Sequence, residues 1–250
     1  MAATPEGAAP VESPLVHHWH GLVRHPRHGP LPGLLLVLTV TSGVIDAVSI
    51  LSLGRVFVAN MTGNVLFVGF ALARTPGFSL SASLFALGGF ILGAVGGGTR
   101  ALGREHNRAR LLRDLVAVEL ALVAAALAIA IGVGSPIVEP ATSGVALLLA
   151  IALGSQNAIV RHLAVPDLTT TVVTMTLTGL ASEATDSSVT VILRRVSAVA
   201  TMLLGGVVGA LLVLHVGPSA ALGLALGLLC CVGLGVLVAG RASAPWQHAT

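Results

Sequence analysis

Six runs of apolar residues, each about as long as a bilayer is thick, restrict this chain more than any other feature. They cover residues 33–54, 79–98, 115–134, 144–165, 196–216 and 220–240. A helix of about 20 apolar residues spans the hydrocarbon core of a membrane. Charged residues make up only 9% of the chain, so it has too little polar surface to fold in water. The sequence therefore predicts an all-α integral membrane protein with six transmembrane helices.

Two further apolar segments carry polar residues. Segment 56–73 begins with a polar stretch, and segment 168–182 is rich in threonine. Five arginines between Arg100 and Arg113 mark an inner loop, and the basic N-terminal tail is also expected inside. An even number of crossings must separate two inner segments, so 56–73 should enter and leave on one face. Arg161 and Arg194, on either side of 168–182, indicate the same for that segment.

These assignments predict the organisation of the chain. Residues 1–32 form a polar cytoplasmic tail, 33–240 a single transmembrane domain, and 241–250 a second short cytoplasmic tail. The expected location is the plasma membrane, with the lipid bilayer as the partner and both termini cytoplasmic. The formal charge of +3 arises from arginines in loops, which is a topology signal, so no nucleic-acid partner is predicted.

The N-terminal tail contains a histidine cluster. Neutral imidazoles are common ligands of divalent metals, so this cluster could bind a metal ion. The alternative, which we favour, is a weakly basic tail lying at the lipid headgroups with Trp19 as an interfacial anchor. No metal or other cofactor is therefore predicted. The tail has no apolar core of the kind found in a cleavable signal peptide.

The two unusual segments recur at a constant spacing. Thr62 precedes Thr174 by 112 residues, and Asp46 precedes Asn157 by 111. The other matched pairs are Asn64 with Thr176, Gly93 with Gly205, and Gly97 with Gly209. The first unit, about 33–134, starts inside and the second, about 144–240, starts outside. This spacing predicts an inverted repeat, and the alternative is a chance alignment of glycine- and threonine-rich sequence.

Paired interrupted helices in an inverted repeat are typical of secondary transporters. We expect residues 56–59 to be extended, the first break to run from Asn60 to Asn64, and the second short helix to open at Thr174. The positive N-terminal ends of such helices favour anions. The predicted solute-binding residues are Asn60, Thr62, Gly63, Asn64, Gln156, Asn157, Thr174 and Thr176. Neutral donors of this kind fit a small polar or anionic solute.

Three charged residues need separate interpretation. Asp46 could carry a coupling proton, or it could accept hydrogen bonds from the interrupted segment. Arg55 could attract anions to the outer mouth, or it could merely contact headgroups. Glu119 is expected to extend toward the inner arginines rather than to face a cavity.

The sequence Phe57-Val58-Ala59-Asn60-Met61-Thr62-Gly63-Asn64, followed later by Pro166-Asp167 and Thr169 to Thr171, resembles the YoaK family of small bacterial membrane proteins, a domain-of-unknown-function group. The resemblance covers roughly residues 34–240. It implies a multi-pass inner-membrane protein and no particular substrate. The paired breaks are also similar, in reduced form, to the half-helices of the sulfate- and uracil-permease fold.

These patterns predict a transporter of a small polar or anionic solute, with or without coupling to protons, and with its site between the two breaks. The alternative is a structural or regulatory membrane protein that transports nothing. Motifs of hydrolases, metalloproteases and phosphate-binding loops are missing from the sequence, so no enzymatic activity is predicted. A unit this small, with glycine rows on the second and fifth spans, is expected to leave apolar faces for a homodimer partner.

Overall fold

The computed structural model describes residues 28–103, 107–165, 173–182, 189–241 and 245–247, and gives the backbone alone for 173–175, 182 and 190. The regular structure of these residues is helical. The helices are α1 (Leu31–Ser52), α2 (Met61–Leu72), α3 (Leu80–Gly103), α4 (Arg108–Val133), α5 (Ala141–Leu163), α6 (Val173–Ser182), α7 (Val189–His215), α8 (Pro218–Gly240) and a short 3-10 helix (Pro245–Gln247). Most of the N-terminal tail, with His17 to His25, lies outside the described residues.

Six of the described helices are long and apolar enough to cross a membrane, namely α1, α3, α4, α5, α7 and α8. This confirms the predicted all-α multi-pass architecture. Large apolar side chains remain exposed on these helices, including Leu92, Leu203, Leu214 and Val238. Such a surface is unfavourable in water and is covered by lipid in a bilayer.

A side-chain cap and a proline, rather than the apolar runs alone, determine where two of the helices begin. The Asn107 side chain accepts a hydrogen bond from the Arg110 backbone N–H at 2.8 Å, which caps α4. Helix α4 therefore starts at Arg108, well before the apolar run at residue 115. At α8, Pro218 occupies the first turn, where its missing N–H costs nothing.

The closest helix pairs are α3 with α5 and α1 with α7. Gly93 of α3 lies against the Ile151 carbonyl of α5, where an added methyl group would overlap the oxygen. Gly205 of α7 lies in the same way against the Val40 carbonyl of α1. Gly93 and Gly205 are thus covered by neighbouring helices of the same chain, which is the close helix approach that glycine permits.

The interhelical loops define two faces of the domain. On one face, the Ser81 hydroxyl donates to the Glu139 carboxylate at 2.8 Å, which joins the start of α3 to the loop before α5. On the opposite face, Arg108 contacts His28 at 3.1 Å, and Arg241 at the end of α8 lies near Arg110. The two ends of the helical domain therefore lie on the same face, as an even number of spans requires.

Candidate functional site

The segment between α1 and α3 enters and leaves on one face. Gly54 and Arg55 adopt positive φ angles of 77° and 57°, which reverse the chain after α1. The Ser79 N–H, at the far end of the segment, donates to the Gly54 carbonyl at 3.3 Å. Helix α2 has 12 residues, or about 18 Å, too short for a core of about 30 Å. The segment is therefore re-entrant, as predicted.

The break itself lies earlier than the sequence indicated. The non-helical stretch runs from Leu53 to Asn60, whereas we expected Asn60 to Asn64. The reason is that Asn60 caps α2: its side chain accepts a hydrogen bond from the Gly63 N–H at 3.4 Å. Thr62, Gly63 and Asn64 consequently lie in the first turn of α2. Residues 56–59, which were expected to be extended, lie outside any helix but bend at Val58 and Ala59.

Asn64 joins the non-helical stretch to α2. Its side chain is fully buried, its Oδ1 accepts a hydrogen bond from the Phe57 N–H at 2.8 Å, and its amide donates to the Phe57 carbonyl. The Phe57 ring lies over Gly63, where an added Cβ would come within 2.6 Å of it. Asn64 and Gly63 therefore hold the two arms of the re-entrant segment together.

An aromatic cluster supports this segment near the surface. Phe67 stacks on Phe57 with ring centroids 5.5 Å apart, and its centroid is 5.0 Å from that of Phe78. The Arg55 guanidinium lies 5.7 Å from the Phe78 centroid, a cation–π arrangement. Arg55 is exposed on this face, while Asp46 lies deeper along α1.

Asp46 contacts the backbone of the break. Its carboxylate faces the N–H groups of Val58 and Ala59, which stabilise its negative charge and have no helix partner. Asp46 lies six residues before the end of α1. The non-helical stretch therefore reaches about 9 Å from that end toward the middle of the membrane. This contact fits the structural role of Asp46, the second of the two roles expected for it. Its second oxygen, Oδ1, is buried and has no hydrogen-bond partner among the described residues.

Gln156 connects the second half of the chain to α1. Its side chain is fully buried and its amide donates to the Ser42 hydroxyl at 2.9 Å. Ser42 lies one helical turn before Asp46, so α1 brings Gln156 and Asp46 into the same region. Asn157 follows Gln156 and is partly exposed.

The second short helix, α6, begins at Val173, next to the expected opening at Thr174. Thr176 is buried, while the side chain of Thr174 and residues 166–172 lie outside the described part. Gly179 lies against the Arg195 guanidinium of α7, where a Cβ would be 2.6 Å from Nη1. Arg195 of α7 thus packs against α6, in the way that the aromatic cluster packs against α2.

Glu119 does not lie where it was expected. Glu119 does not extend to the inner arginines: it is 1% exposed, and neither carboxylate oxygen has a hydrogen-bond partner among the described residues. The expectation was wrong because Glu119 shares the inward face of α4 with Leu115, Val116 and Val123. Its spacing from Leu115 and Val123, four residues each way, was the available signal.

Glu139 had no signal in the sequence, because its partners come from separate segments. Its carboxylate accepts hydrogen bonds from Ser143, Ser81 and Ser79. Partial burial by itself would raise the pKa of Glu139, but these hydrogen bonds stabilise the anion more strongly. They lower the pKa below its ordinary value of 4.5.

Two described cavities of about 360 Å³ lie elsewhere. One is bordered by α3, α4 and α5, with Gly96 and Ser155 in its wall, and the other is formed by α4 and α8 near Arg110. Neither is lined by Asp46, Asn60 or Thr62.

Comparison with known proteins agrees with these features. The family described as "Protein of unknown function (DUF1275)" matches residues 34–235. The UPF0700 transmembrane protein YoaK of Bacillus subtilis (strain 168) is 33% identical over 147 residues, which cover 59% of this chain and 64% of that protein. The aligned part is thus less than two thirds of the relative's length. No solved structure matches the chain. Because the family match reaches from α1 into α8, the resemblance to YoaK-like proteins is confirmed and the chain belongs to the DUF1275 family of membrane proteins.

Proposed function

We propose that the protein moves a small polar or anionic solute across the membrane, through a site between α2 and α6. The observation that carries this proposal is the re-entrant segment, in which the Val58 and Ala59 N–H groups have no helix partner, lie below the membrane surface and face the Asp46 carboxylate. Irregular backbone at this depth is tolerated where it lines a cavity or is buried in protein. Many transporters build their sites from such segments.

Matched contacts support an inverted repeat. Gly93 faces the Ile151 carbonyl, and Gly205 faces the Val40 carbonyl in the same way. Gly205 comes 112 residues after Gly93, and Val40 comes 111 residues before Ile151. A second matched set at the same spacings is formed by Gly154 with Phe90 and Gly43 with Met202. These reciprocal contacts have the same spacings that relate Thr62 to Thr174 and Asp46 to Asn157. They favour an inverted repeat over a chance alignment of glycine-rich helices.

The chemistry of the first break suggests how a proton would couple to an anion. The Asp46 carboxylate faces the N–H groups of Val58 and Ala59 and attracts them electrostatically. Protonation of Asp46 removes its negative charge and weakens this hold. The two N–H groups and the N-terminal end of α2 then become available to an anionic solute. Anion and proton would therefore bind together, and both would leave together.

Other residues have supporting roles in this proposal. Arg55 attracts anions to the outer mouth, while Asn60 and Thr62, both exposed, meet the solute at α2. Gln156, Asn157, Thr174 and Thr176 provide donors from the second half. The protein acts in the plasma membrane as a homodimer with cytoplasmic termini, and it performs no enzymatic reaction.

A non-transporting scaffold is the second candidate. It is favoured by Asn64, whose amide is fully engaged by Phe57, and by the structural contacts of Asp46. In this case, the polar residues only hold the re-entrant segment in place. The protein would then act through its partners rather than through a solute.

Proteoliposome flux distinguishes the two candidates. Purified protein is tested with a panel of small organic and inorganic anions, with and without a pH gradient. We expect Thr62→Val to reduce flux strongly, and Asp46→Asn to remove the pH dependence while exchange continues. Thr99→Val and Asp114→Asn serve as matched controls, because both residues lie at the end of their helices opposite the re-entrant segment. If the parent protein moves no solute in the panel and Asp46→Asn fails to fold, the protein is a non-transporting scaffold.

A further inference from the structure

A cavity of about 360 Å³ opens on the face opposite the re-entrant segment, between the start of α4 and the end of α8. Three arginines line it: Arg110 and Arg113 from the first turns of α4, and Arg241 just after α8. Asn107 and Gln247 add amide groups to its wall. The cavity is therefore strongly basic, and it lies where the apolar part of α8 ends.

The charge of this basic cavity is only partly compensated. Arg113 forms an ion pair with Asp114, with 3.2 Å between Nη2 and Oδ1. Among the described residues, neither Arg110 nor Arg241 forms a salt bridge. The Asn107 side chain already accepts the Arg110 backbone N–H, so the attraction for an anion comes from guanidinium groups. Guanidinium groups bind phosphate oxygens well because their donors match the spacing of those oxygens.

One wall of the basic cavity is apolar and faces outward. Leu237 lines the cavity and is 49% exposed, and Leu234, one turn earlier on α8, is 64% exposed. These side chains lie on the lipid-facing surface of a transmembrane helix. The cavity is thus continuous with the surface that acyl chains cover, which a site for a soluble anion does not require.

We propose that the basic cavity binds the phosphate of an anionic phospholipid, with its acyl chains lying along Leu237 and Leu234. Basic pockets between transmembrane helices near the membrane surface are suited to such headgroups. The site is separate from the proposed solute site, and its occupation does not depend on transport. The lipid would hold the ends of α4 and α8 together.

Native mass spectrometry of the full-length protein tests this proposal. Phosphatidylglycerol and phosphatidylcholine with identical acyl chains are titrated onto the parent protein and two variants. Arg110→Gln/Arg241→Gln removes two cavity arginines, and Arg55→Gln/Arg74→Gln removes two exposed arginines on the opposite face. We expect phosphatidylglycerol to bind the parent more tightly by roughly tenfold or more. The cavity variant should lose this preference and the matched variant should keep it.

Three outcomes would overturn the proposal. The first is equal binding of the two lipids by the parent protein. The second is an unchanged preference in a cavity variant that elutes as a folded protein. The third arises in a parallel melting experiment in neutral detergent: if inorganic phosphate at millimolar concentration stabilises the parent as much as phosphatidylglycerol does, the site belongs to a soluble phosphate.

Discussion

Asn64 satisfies both backbone hydrogen-bonding groups of Phe57 with one side chain. This places an obligatory polar residue at a position where a solute-binding residue was expected. The amide forms one hydrogen bond as acceptor and one as donor, so only asparagine or glutamine carries the required groups. Glutamine is longer by one methylene and does not fit the same spacing. At the residue scale, Asn64 therefore determines whether the re-entrant segment forms.

We predict that Asn64→Leu destabilises the protein. The substitution leaves the Phe57 N–H and carbonyl without their partner, at a cost of about 1–3 kcal/mol for each buried group. Melting of the detergent-solubilised protein, followed by tryptophan fluorescence, measures the effect. Thr62→Val, in the same turn but exposed, should change stability by less than about 0.5 kcal/mol. Equal melting temperatures for the parent and Asn64→Leu would contradict the assigned role.

Glu139 gives a pH-dependent prediction at the same scale. Its pKa is lower in the folded protein than in the unfolded chain, so the folded state binds fewer protons. The resulting stability is present above about pH 4.5 and is lost as the pH falls through the folded pKa. The side chain is exposed, so the effect should stay below about 1 kcal/mol.

The measurement compares the parent with Glu139→Gln from pH 7 down to pH 3. We expect the parent to be the more stable protein at pH 7 and the difference to shrink as the pH falls. Ser81→Ala, which removes one donor at 2.8 Å, should give a smaller effect of the same sign. A difference that grows toward low pH would show that the carboxylate is not stabilised by the serines.

At the scale of helices, close backbone approach explains the two tightest pairs. An added methyl group at Gly93 or Gly205 would overlap a carbonyl oxygen of the facing helix. Gly88 and Gly206 lie in the same helices but have open space around them. Neighbouring glycines of one helix thus differ in whether a methyl group fits at their position.

We predict that Gly93→Ala and Gly205→Ala lower stability, by about 1–3 kcal/mol each, because the helices must separate to admit the methyl group. Gly88→Ala and Gly206→Ala should be neutral or slightly stabilising, since alanine favours helix by up to about 1 kcal/mol. Thermal unfolding of the four variants under one detergent condition provides the comparison. Similar losses for all four would mean that close packing is not the cause.

The sequence predicted elements better than it predicted contacts. Apolar length and arginine position were sufficient for six spans and a non-crossing segment at 56–73. The start of α4 at Arg108 was missed because a cap at Asn107 extends a helix beyond its apolar part. The contacts of Glu139 and of the glycine rows were missed for a different reason, since spacing shows which residues share a face but not which helix covers it.

At the scale of the whole molecule, the arrangement of the loops predicts which positions are accessible together. The loop containing Arg74 and the loop containing Glu139 lie on one face, while Arg110 and Arg241 lie on the other. The arginine distribution predicts that the second face is cytoplasmic. The orientation can be tested without knowledge of the solute.

Single cysteines introduced at positions 74, 139, 110 and 241, in a Cys230→Ala/Cys231→Ala background, test this prediction. A membrane-impermeant thiol reagent added to intact cells should label positions 74 and 139, and it should reach 110 and 241 only after permeabilisation. Labelling of all four sites in lysed cells is the control for reactivity. Ready labelling of position 241 in intact cells would reverse the proposed orientation.

The pairing of α1 with α7 has a consequence for biosynthesis. Helix α1 ends at Ser52, whereas α7 ends at His215, and a ribosome adds about 5–20 residues per second. Helix α1 therefore leaves the ribosome on the order of ten seconds before its main partner is complete. Throughout this interval Gly43, and the carbonyl groups that Gly205 will cover, face lipid or the insertion machinery. Chains that stall before α7 would carry an unpaired α1 and would be recognised as incomplete.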